Sequence, residues 1–352
     1  MNPAAHGDCR QISDPLADHS FCRELLPKVS RTFAACIHLL PTDVEYPVLL
    51  AYLLCRIADT CEDTADLAVE TKEHLLTTFA TCLDEDGGDA SALATAFANP
   101  RTDDECLTRD ADRVLREFRR LPEAQRTAIR PWIQDMCRGM ANFARKHAAA
   151  RPDHIEALDS LDDLDRYCYY VAGTVGHLLT ELFRLNQPRM SSAQYEQLRS
   201  LATSFGLGLQ LTNIIKDVAD DRRRGWMFVP RELCTQAGIT PERFLDPADS
   251  TAAQNVMHQL ITKAAGHLDD ALNYCTALPR SAYRLRLFCL TPLYFAVRTL
   301  ALARSNPRLL DPAHKVKITR REVYRTISMT YLIAPNNFLV RRYYHRLSAA
   351  PR

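Results

Sequence analysis

Two short acidic clusters are the residues of this sequence best suited to chemistry. In each cluster three carboxylates follow the spacing i, i+3, i+4, which places them on one face of a helix. The clusters are Asp59, Glu62 and Asp63, and Asp217, Asp220 and Asp221. Like charges at these spacings destabilise a helix, so their repetition indicates a shared cation. Hard oxygen ligands suit Mg²⁺, which proteins often share with substrate phosphates. We therefore predict a magnesium site that holds a diphosphate.

Cationic and aromatic side chains accompany both clusters. Tyr52 and Arg56 lie two turns and one turn before Asp59, on the same helical face. Arg56 stands in an apolar run, where a charged side chain needs a partner. Lys216 directly precedes Asp217. Arginine offers a planar fork for phosphate oxygens, and lysine offers a point charge. These residues are candidate ligands of the same diphosphate.

A glycine pair in the middle of the chain also needs an explanation. Gly173 and Gly176 interrupt the helical pattern of the segment 167–176. Each glycine costs about 1 kcal/mol relative to alanine in a helix. Such positions favour close approach of another backbone or of a ligand, and plain core packing stays open as an alternative.

Helical periodicity runs through almost the whole chain, and the alternation typical of strands is nearly absent. Apolar residues recur at spacings of three and four in the windows 21–39, 44–64, 109–121, 125–148, 193–219, 252–277, 281–304 and 319–347. No linker or repeat divides the 352 residues. The sequence predicts one all-α domain of ten or more helices over 1–352, with its core at about 20–330.

Composition narrows the class of protein. The chain has 44 Lys and Arg against 43 Asp and Glu, for a formal net charge of +1. That balance argues against a nucleic-acid partner, because proteins that bind nucleic acids usually carry an excess of basic residues. Twelve scattered cysteines without a C-x-x-C pair predict free thiols in a reducing cytosol. The most apolar segment, 285–303, is interrupted by Arg286, Pro292 and Arg298, so we expect no membrane-spanning helix.

Four motifs together resemble the squalene/phytoene synthase family. Ser30-Arg31-x-Phe33 resembles its early motif, and Tyr52-x-x-x-Arg56-x-x-Asp59-x-x-Glu62-Asp63 resembles its first acidic motif. Tyr167-Cys-x-Tyr-Val-Ala-Gly-x-Val-Gly176 is similar to its central helix. Gln210-x-x-Asn213-Ile-Ile-Lys216-Asp217-x-x-Asp220-Asp221 is similar to its second acidic motif. The likeness extends from about Ser30 to about Arg321.

The resemblance implies a fold and a reaction. The expected fold is the isoprenoid-synthase helical bundle with a central cavity. The expected substrates are two allylic diphosphates, taken as farnesyl diphosphate, which are joined through a cyclopropyl diphosphate with Mg²⁺. The expected metal ligands are Asp59, Glu62, Asp63, Asp217, Asp220 and Asp221. The expected diphosphate ligands are Ser30, Arg31, Arg56, Gln210, Asn213 and Lys216. Tyr52 and Tyr167 are candidates for orienting groups or proton relays, and Phe33 and Phe288 for the aromatic wall that stabilises a carbocation.

Two later stretches resemble the squalene-forming branch, which reduces its intermediate with NADPH. One stretch is Phe288-Cys289-x-x-Pro292. The other is basic and implies a nucleotide site at Lys315, Lys317, Arg320 and Arg321. Branches that form phytoene, dehydrosqualene or hydroxysqualene without NADPH remain alternatives, as does a non-catalytic assembly factor of the same fold.

Three positions depart from the family pattern. Lys216 stands where arginine is usual, and Asp220 stands where glutamate is usual. Trp226 occupies a position where the family often has arginine, so the residues Arg222–Arg224 are candidates to replace that charge, with a solvated loop as the alternative.

The sequence also predicts where the protein works. We expect a cytoplasmic monomer without the C-terminal membrane anchor of eukaryotic members. The segment 331–346 mixes aromatic, aliphatic and basic residues. It predicts at most a peripheral contact with the inner face of a membrane, or a last helix packed on the core.

Overall fold

The computed structural model describes residues 15–146 and 154–349. Residues 1–14, 147–153 and 350–352 of the predicted domain lie outside this part. Within it the chain forms α-helices almost throughout, together with one pair of two-residue strands. The all-α prediction is confirmed.

The helices are, in chain order, α1 (Pro15–Val29), α2 (Arg31–Ile37), α3 (Thr42–Asp63), α4 (Val69–Cys82), α5 (Ser91–Ala96), α6 (Asp103–Arg109), α7 (Ala111–Arg120), α8 (Glu123–Lys146), α9 (Leu161–Cys168), α10 (Thr174–Asn186), α11 (Ser192–Arg223), α12 (Arg231–Gln236), α13 (Ser250–Ala277), α14 (Tyr283–Arg304), α15 (Arg320–Ile333) and α16 (Asn337–Ser348). A π-helical turn, Tyr169–Gly173, joins α9 to α10, and the 3₁₀ turns Pro241–Arg243 and Pro247–Asp249 precede α13. The strands β1 (Glu156–Ala157) and β2 (Trp226–Met227) pair in parallel.

The long helix α11 is the centre of the bundle. It packs along α13 and also contacts α10, α14 and the π-helical turn, whereas α3, α4 and α10 pack around α8. Its first turn is fixed by a capping box in which the Ser191 hydroxyl and the Gln194 side chain satisfy each other's backbone N–H groups. The two helices that end in acidic motifs, α3 and α11, are thereby held in one core.

Close backbone contact explains one of the two glycines that the sequence singled out. A Cβ atom at Gly176 would collide with the carbonyl oxygen of Ala202, and one at Gly206 would collide with the carbonyl oxygen of Ala172. These collisions would occur where α10 and the π-helical turn meet α11. Gly176 therefore serves close packing between helices and not the approach of a ligand. Helix packing is one of the alternatives that the sequence analysis left open.

The structure divides two windows that the periodicity joined. Residues 21–39 belong to α1 and α2, because Ser30 ends one helix and caps the next by accepting a hydrogen bond from the N–H of Phe33 at 3.2 Å. Residues 319–347 form α15 and α16 rather than one helix. Pro335 lies at this break, and the Asn336 side chain caps α16. Proline cannot continue the helical hydrogen bonds, so the apolar pattern alone was insufficient here.

Helix α14 is long and apolar enough to span a membrane, but 72% of its most apolar window is buried inside the protein. Its Arg286 is fully buried and donates hydrogen bonds to the carbonyl oxygens of Leu278 and Ala334, at 2.8 and 2.6 Å. Such burial is typical of a core helix. The eleven described cysteines, all except Cys9, are unbridged.

Candidate active site

The first acidic motif ends helix α3, whose remaining surface is mostly apolar and buried. Asp59 is 34% exposed, yet burial is the largest cause that raises the pKa of its carboxyl group to about 7, followed by repulsion from Asp63. The Arg56 guanidinium, 3.8 Å away, lowers this pKa only in part. Burial likewise raises the pKa of Asp63, although its side chain is exposed to water. Asp59 and Asp63 are thus in contact with water and also surrounded by protein. This is the environment of carboxylates that line a cleft.

Glu62 does not share this cleft. Its side chain is 2% exposed, and burial, then repulsion from Asp63, raises the pKa of its carboxyl group well above the ordinary value. The Oε1 atom has no hydrogen-bond partner among the described residues. The three carboxylates of the first motif therefore differ, with Asp59 and Asp63 open to solvent and Glu62 inside the protein. The predicted convergence of all three on one cation is not present in this structure.

The second acidic motif lies in the last two turns of α11. Burial raises the pKa of Asp221 to about 6, Arg224 pairs with its carboxylate and lowers the pKa, and both Asp217 and Asp63 raise it. Because Asp63 on α3 contributes to the raised pKa of Asp221 on α11, the two motifs lie close enough for their charges to interact. The Lys216 ammonium lies 2.6 Å from an oxygen of Asp217.

Asp220 takes part in a different contact. Its carboxylate accepts a hydrogen bond from the Lys315 ammonium at 2.5 Å, and this bond is the main cause that lowers its pKa. The basic stretch predicted to bind a nucleotide thus reaches the second acidic motif. Lys317, Arg320 and Arg321 are exposed in the same stretch. The sequence alone did not indicate that these two predicted sites adjoin.

A polar stripe precedes the second motif on α11. Gln210 is partly buried and Asn213 is exposed, although this helix is central to the bundle. An exposed asparagine in the middle of a core helix marks the face that the other helices leave open. This open face continues through Lys216 to Asp217, as the spacing predicted.

Arg56 is held by a residue that the sequence analysis did not single out. Its Nε and Nη2 atoms donate hydrogen bonds to the two carboxylate oxygens of Asp104 in α6, at 2.8 and 3.1 Å. The guanidinium fork is therefore occupied, and only its Nη1 atom turns towards Asp59. The predicted direct grip of Arg56 on a diphosphate is reduced to this remaining edge. Asp104 follows Arg56 by 48 residues, a separation at which helical spacing carries no signal.

The early motif lies beside the first acidic motif. Phe33 and Tyr52 pack with ring centroids 5.5 Å apart. Burial raises the pKa of Tyr52, and a hydrogen bond with Ser30 partly lowers it. Arg31 is exposed, and Phe33 is 37% exposed. Phe33 therefore lies at a rim open to solvent, rather than in the enclosed wall that we expected.

Aromatic side chains line the interior behind Glu62. Tyr167 is 6% exposed and stacks on Phe228 with centroids 4.7 Å apart. Burial, followed by the charge of Glu62, raises its pKa well above the ordinary value. Phe288, the other predicted wall residue, is also buried and meets Phe183 edge to face at 6.1 Å.

A buried lysine lies between the first acidic motif and Trp226, and the sequence analysis missed it. The Lys72 ammonium donates a hydrogen bond to the backbone oxygen of Glu62 at 2.5 Å and lies 5.9 Å from the ring centre of Trp226. Burial lowers its pKa, while the charges of Asp63 and Glu62 raise it in part. Two cations, Lys72 and Arg224, thus lie near the position where arginine was expected in place of Trp226. A lysine in an apolar helix face was the available signal.

The donor set fits Mg²⁺. In the part of the chain that the structure describes, no three His, Cys, Asp or Glu side chains are already arranged as a metal site. Magnesium usually takes only one or two carboxylates and completes its octahedron with water and phosphate oxygens. Carboxylates whose pKa is raised by burial and then by neighbouring carboxylates gain most from a divalent cation. Asp59, Asp63, Asp217 and Asp221 are the residues that would hold it.

Known proteins similar to this chain agree with the geometry. Residues 26–322 match the family model described as squalene/phytoene synthase. The squalene synthase of Eremothecium gossypii is 32% identical over 84% of this chain and 64% of its own length, and that of Rattus norvegicus is 31% identical over 84% of this chain and 66% of its own. This chain thus spans slightly less than two thirds of these relatives.

Solved structures show the same architecture. TcSQS in complex with the ligand E5700 superimposes with a TM-score of 0.78, at 27% identity over 94% of this chain and 91% of that one. A dehydrosqualene synthase, at 19% identity and a TM-score of 0.62, shows the shared fold. Two facing acidic motifs on an isoprenoid-synthase bundle, with the match over residues 26–322, lead to one conclusion: the chain belongs to the squalene/phytoene synthase family.

Proposed function

We propose that this chain joins two molecules of farnesyl diphosphate head to head, in a Mg²⁺-dependent reaction that passes through presqualene diphosphate. NADPH then reduces the intermediate to squalene, so the enzyme is of the farnesyl-diphosphate farnesyltransferase type. The observation that carries the proposal is the pair of carboxylates on α3, Asp59 and Asp63, facing Asp217 and Asp221 on α11. The squalene synthases among its relatives support squalene as the product.

Leaving-group activation is the first task of such a site. Bound Mg²⁺ would neutralise the diphosphate and so make it a better leaving group. The chain adds Lys216 and the exposed Arg31 as further cations for phosphate oxygens. Arg56 contributes the edge that Asp104 leaves free, so Asp104 acts as a positioning residue for that guanidinium.

The tyrosines keep their protons in this site. Burial raises the pKa of both Tyr52 and Tyr167 above that of free tyrosine. At neutral pH each hydroxyl therefore donates hydrogen bonds and orients the substrate, and neither supplies a phenolate base. The proton lost when the cyclopropane ring closes passes to the departed diphosphate, which is held by the cations of the cleft.

The carbocations need protection from water until they react. The stacked Tyr167 and Phe228 rings and the buried Phe288 provide apolar surface with negative ring faces, which attract cations. Phe33 acts at the rim, where it covers Tyr52. This arrangement delays quenching long enough for ring opening and hydride transfer.

The reductant site is the basic stretch near the second acidic motif. Lys315, Lys317, Arg320 and Arg321 supply positive charge for the phosphates of NADPH. The contact of Lys315 with Asp220 supports delivery of the hydride to the same cleft in which the diphosphate leaves. Both half-reactions then take place in one cavity.

Product analysis tests the proposal. The purified chain is incubated with farnesyl diphosphate and Mg²⁺, with and without NADPH. Without NADPH we expect presqualene diphosphate to accumulate, with some dehydrosqualene and alcohols, and with NADPH we expect squalene. Lys317→Ala should slow the reductive step more than the first condensation, whereas Lys28→Ala, which removes an exposed lysine of α1, should change neither.

Other outcomes would redirect the assignment. A product spectrum indifferent to NADPH would favour the branches that form dehydrosqualene, phytoene or hydroxysqualene. Preference for geranylgeranyl diphosphate would change the substrate to the C20 chain. A folded chain that converts neither substrate would indicate a non-catalytic member.

We also propose that the protein acts as a cytoplasmic monomer with peripheral membrane contact. The contact of Lys315 with Asp220 brings the second acidic motif and the basic stretch together within one chain, which supports a site that one copy can form. Analytical ultracentrifugation in the concentration range of the activity assay tests this, and activity that falls with dissociation of a dimer would contradict it.

A further inference from the structure

The hairpin of α15 and α16 exposes an unusual amount of apolar surface. Five of the eight large hydrophobic side chains exposed in the described residues lie between positions 324 and 339. Leu332 is 74% and Phe338 is 69% exposed, and Tyr331 and Leu339 flank them at 43% and 39%. We call these four residues the hairpin tip. Single exposed hydrophobic residues are common, but a cluster marks an interaction surface.

The hairpin tip is a built structure rather than a loose end. Arg286, fully buried in α14, donates to the carbonyl oxygen of Ala334 at 2.6 Å and to the side-chain oxygen of Asn337 at 2.5 Å. Asn336 accepts hydrogen bonds from the N–H groups of Phe338 and Leu339 at 3.0 and 3.2 Å. The Tyr283 hydroxyl donates to the carbonyl oxygen of Tyr331 at 2.7 Å. The turn is fixed from inside, so its apolar side chains are held outward.

The opposite face of α16 belongs to the core. Tyr343 is buried and meets Tyr294 edge to face at 5.0 Å, and the hydroxyl of the buried Tyr344 donates to Asp269 at 2.7 Å. The sequence analysis gave two interpretations of the segment 331–346, a peripheral membrane contact and a last helix packed on the core. These two interpretations concern opposite faces of α16. One face packs on the protein, and the other presents Phe338 and Leu339 to solvent.

Every charged side chain that follows Glu322 in the hairpin is basic, although the exposed Asp269 of α13 contacts Tyr344. No aspartate or glutamate occurs after Glu322, in a chain whose formal net charge is only +1. On α15, Arg325 lies on the face of Leu332, and on α16, Arg342 and Arg346 follow Phe338 and Leu339. These three exposed arginines, Arg325, Arg342 and Arg346, flank the tip on both helices. Arg341 is not among them because it binds Asn273 and Thr276.

We propose that this surface docks on the anionic face of a lipid bilayer. The hairpin tip inserts Leu332 and Phe338 among the acyl chains near the headgroups, and the three arginines contact lipid phosphates. A second copy of the chain is a poor partner, because two such faces would bring the exposed arginines of one copy against those of the other. An anionic membrane satisfies both the apolar tip and its basic flanks.

The surface is connected to the mouth of the candidate site. Next to Tyr283, which holds the tip, Arg284 donates to the carbonyl oxygens of Leu39 and His38 at 2.7 and 3.2 Å. These residues end α2, the helix that begins with Arg31 and Phe33. If the proposed function holds, docking brings the Phe33 side of the cavity towards lipid, where a hydrocarbon product is soluble. The docking proposal itself stands on the hairpin alone.

Vesicle sedimentation with the full chain tests the proposal. The vesicles are pure phosphatidylcholine, or phosphatidylcholine mixed with phosphatidylglycerol, at low and at high salt. We expect binding to the anionic vesicles at low salt, weaker binding at high salt, and little binding to phosphatidylcholine alone. Leu332→Gln/Phe338→Gln and Arg342→Gln/Arg346→Gln should each weaken binding by about tenfold or more.

Two matched controls separate this surface from general effects. Leu16→Gln/Leu185→Gln removes exposed leucines on α1 and α10, and Arg138→Gln/Arg199→Gln removes exposed arginines on α8 and α11. Both should bind vesicles like the parent. Turnover of farnesyl diphosphate dispersed in detergent should be the same in all five proteins, so loss of docking and loss of the proposed activity are distinguishable.

Three results would overturn the proposal. The first is a parent protein that stays in the supernatant with anionic vesicles at low salt. The second is parent-like binding by both hairpin variants when circular dichroism shows that they are folded. The third is concentration-dependent self-association that Leu332→Gln/Phe338→Gln abolishes, because the surface would then be a protein interface.

Discussion

Two groups of carboxylates in this molecule are treated in opposite ways. Asp18 on α1 is 3% exposed and receives hydrogen bonds from Arg113 and Arg116 of α7, at 2.8 to 3.0 Å. Burial alone would raise its pKa, but the two arginines lower it below the ordinary value. In the cleft, burial and mutual repulsion raise the pKa of Asp59 and Asp221 instead.

The difference separates a structural from a functional use of the same side chain. Asp18 links two helices, and its partners balance its charge within the fold. The cleft carboxylates are left with excess negative charge, which destabilises the empty protein and favours a cation. Perturbed acids in a cleft are typical of functional sites, and the Asp18 cluster gives an internal reference for that inference.

The largest expected effect is on turnover. Asp59→Asn and Asp217→Asn, made separately, should each lower kcat by about a thousandfold or more, because each removes a metal-binding charge from the transition state. Helicity and Tm should stay close to those of the parent, since repulsion is also relieved. Measurement of kcat and Tm on the same preparations checks both halves. Near-parent activity in either variant would remove that motif from the metal site.

Asp18→Asn should show the reverse pattern. We expect the free energy of unfolding to fall by about 2 kcal/mol, because two arginines lose a buried partner while remaining partly hydrated. The kcat of the folded enzyme should not change. Urea denaturation followed by circular dichroism measures the loss. A variant with parent-like stability and impaired turnover would contradict the comparison between the two groups.

The pH dependence of stability should also have opposite signs for the cleft carboxylates and for Asp18. In the unfolded chain Asp59 and Asp221 ionise near 3.8, whereas their pKa values in the fold are about 7 and about 6. Between these limits the folded protein keeps protons that the unfolded chain has lost, so their contribution to stability falls as pH rises. Asp18, with its lowered pKa, contributes stability above about pH 4 that is lost on acidification.

Metal-free protein in thermal melts from pH 5 to pH 8, a range chosen to bracket the raised values, provides the test. We expect Tm to fall across this range, and Mg²⁺ or Asp59→Asn to reduce the fall. Asp18→Asn should lower Tm at every pH in the range without changing the slope. A slope that neither Mg²⁺ nor Asp59→Asn alters would assign the pH effect to other groups.

The smallest effect concerns the exposed pair of Lys315 and Asp220. Their side chains are 53% and 31% exposed, so Lys315→Ala should change the free energy of unfolding by less than about 1 kcal/mol. The apparent KM for NADPH should rise several-fold, and Lys317→Ala, which leaves Asp220 paired, should raise it similarly. Initial rates over a range of NADPH concentrations measure this. An unchanged KM in both variants would move the nucleotide site elsewhere.

The spacing of residues in the sequence predicted much of the site. It did not reveal contacts between residues that are far apart in the chain. The acidic motifs and the all-α class followed from side-chain spacing and helical periodicity. The clamp of Asp104 on Arg56 and the placement of Lys72 under Trp226 did not, because they join segments that only the fold brings together. The split of 319–347 was foreseeable, since Pro335 and the capping Asn336 are visible in the sequence.

Burial also distinguishes carboxylates that the helical spacing makes equivalent. Asp59, Glu62 and Asp63 look alike on a helical wheel, but the packing of α4 against α3 turns Glu62 into the protein beside Lys72. Which side of a helix a neighbour covers depends on the whole bundle. For that reason the sequence could not show that Glu62 is buried while Asp59 and Asp63 are open to water.

The bond between Lys315 and Asp220 has a thermodynamic consequence for ligand binding. The lysine neutralises one of the carboxylates near the metal-binding pairs, and the aspartate neutralises one of the cations proposed for the nucleotide. An anion that draws Lys315 away frees Asp220 for a cation, and a cation at Asp220 frees Lys315 for an anion. We therefore expect binding at the two proposed sites to be positively cooperative, and the coupling to be reciprocal by linkage. For a pair this exposed, the factor is about fivefold at most.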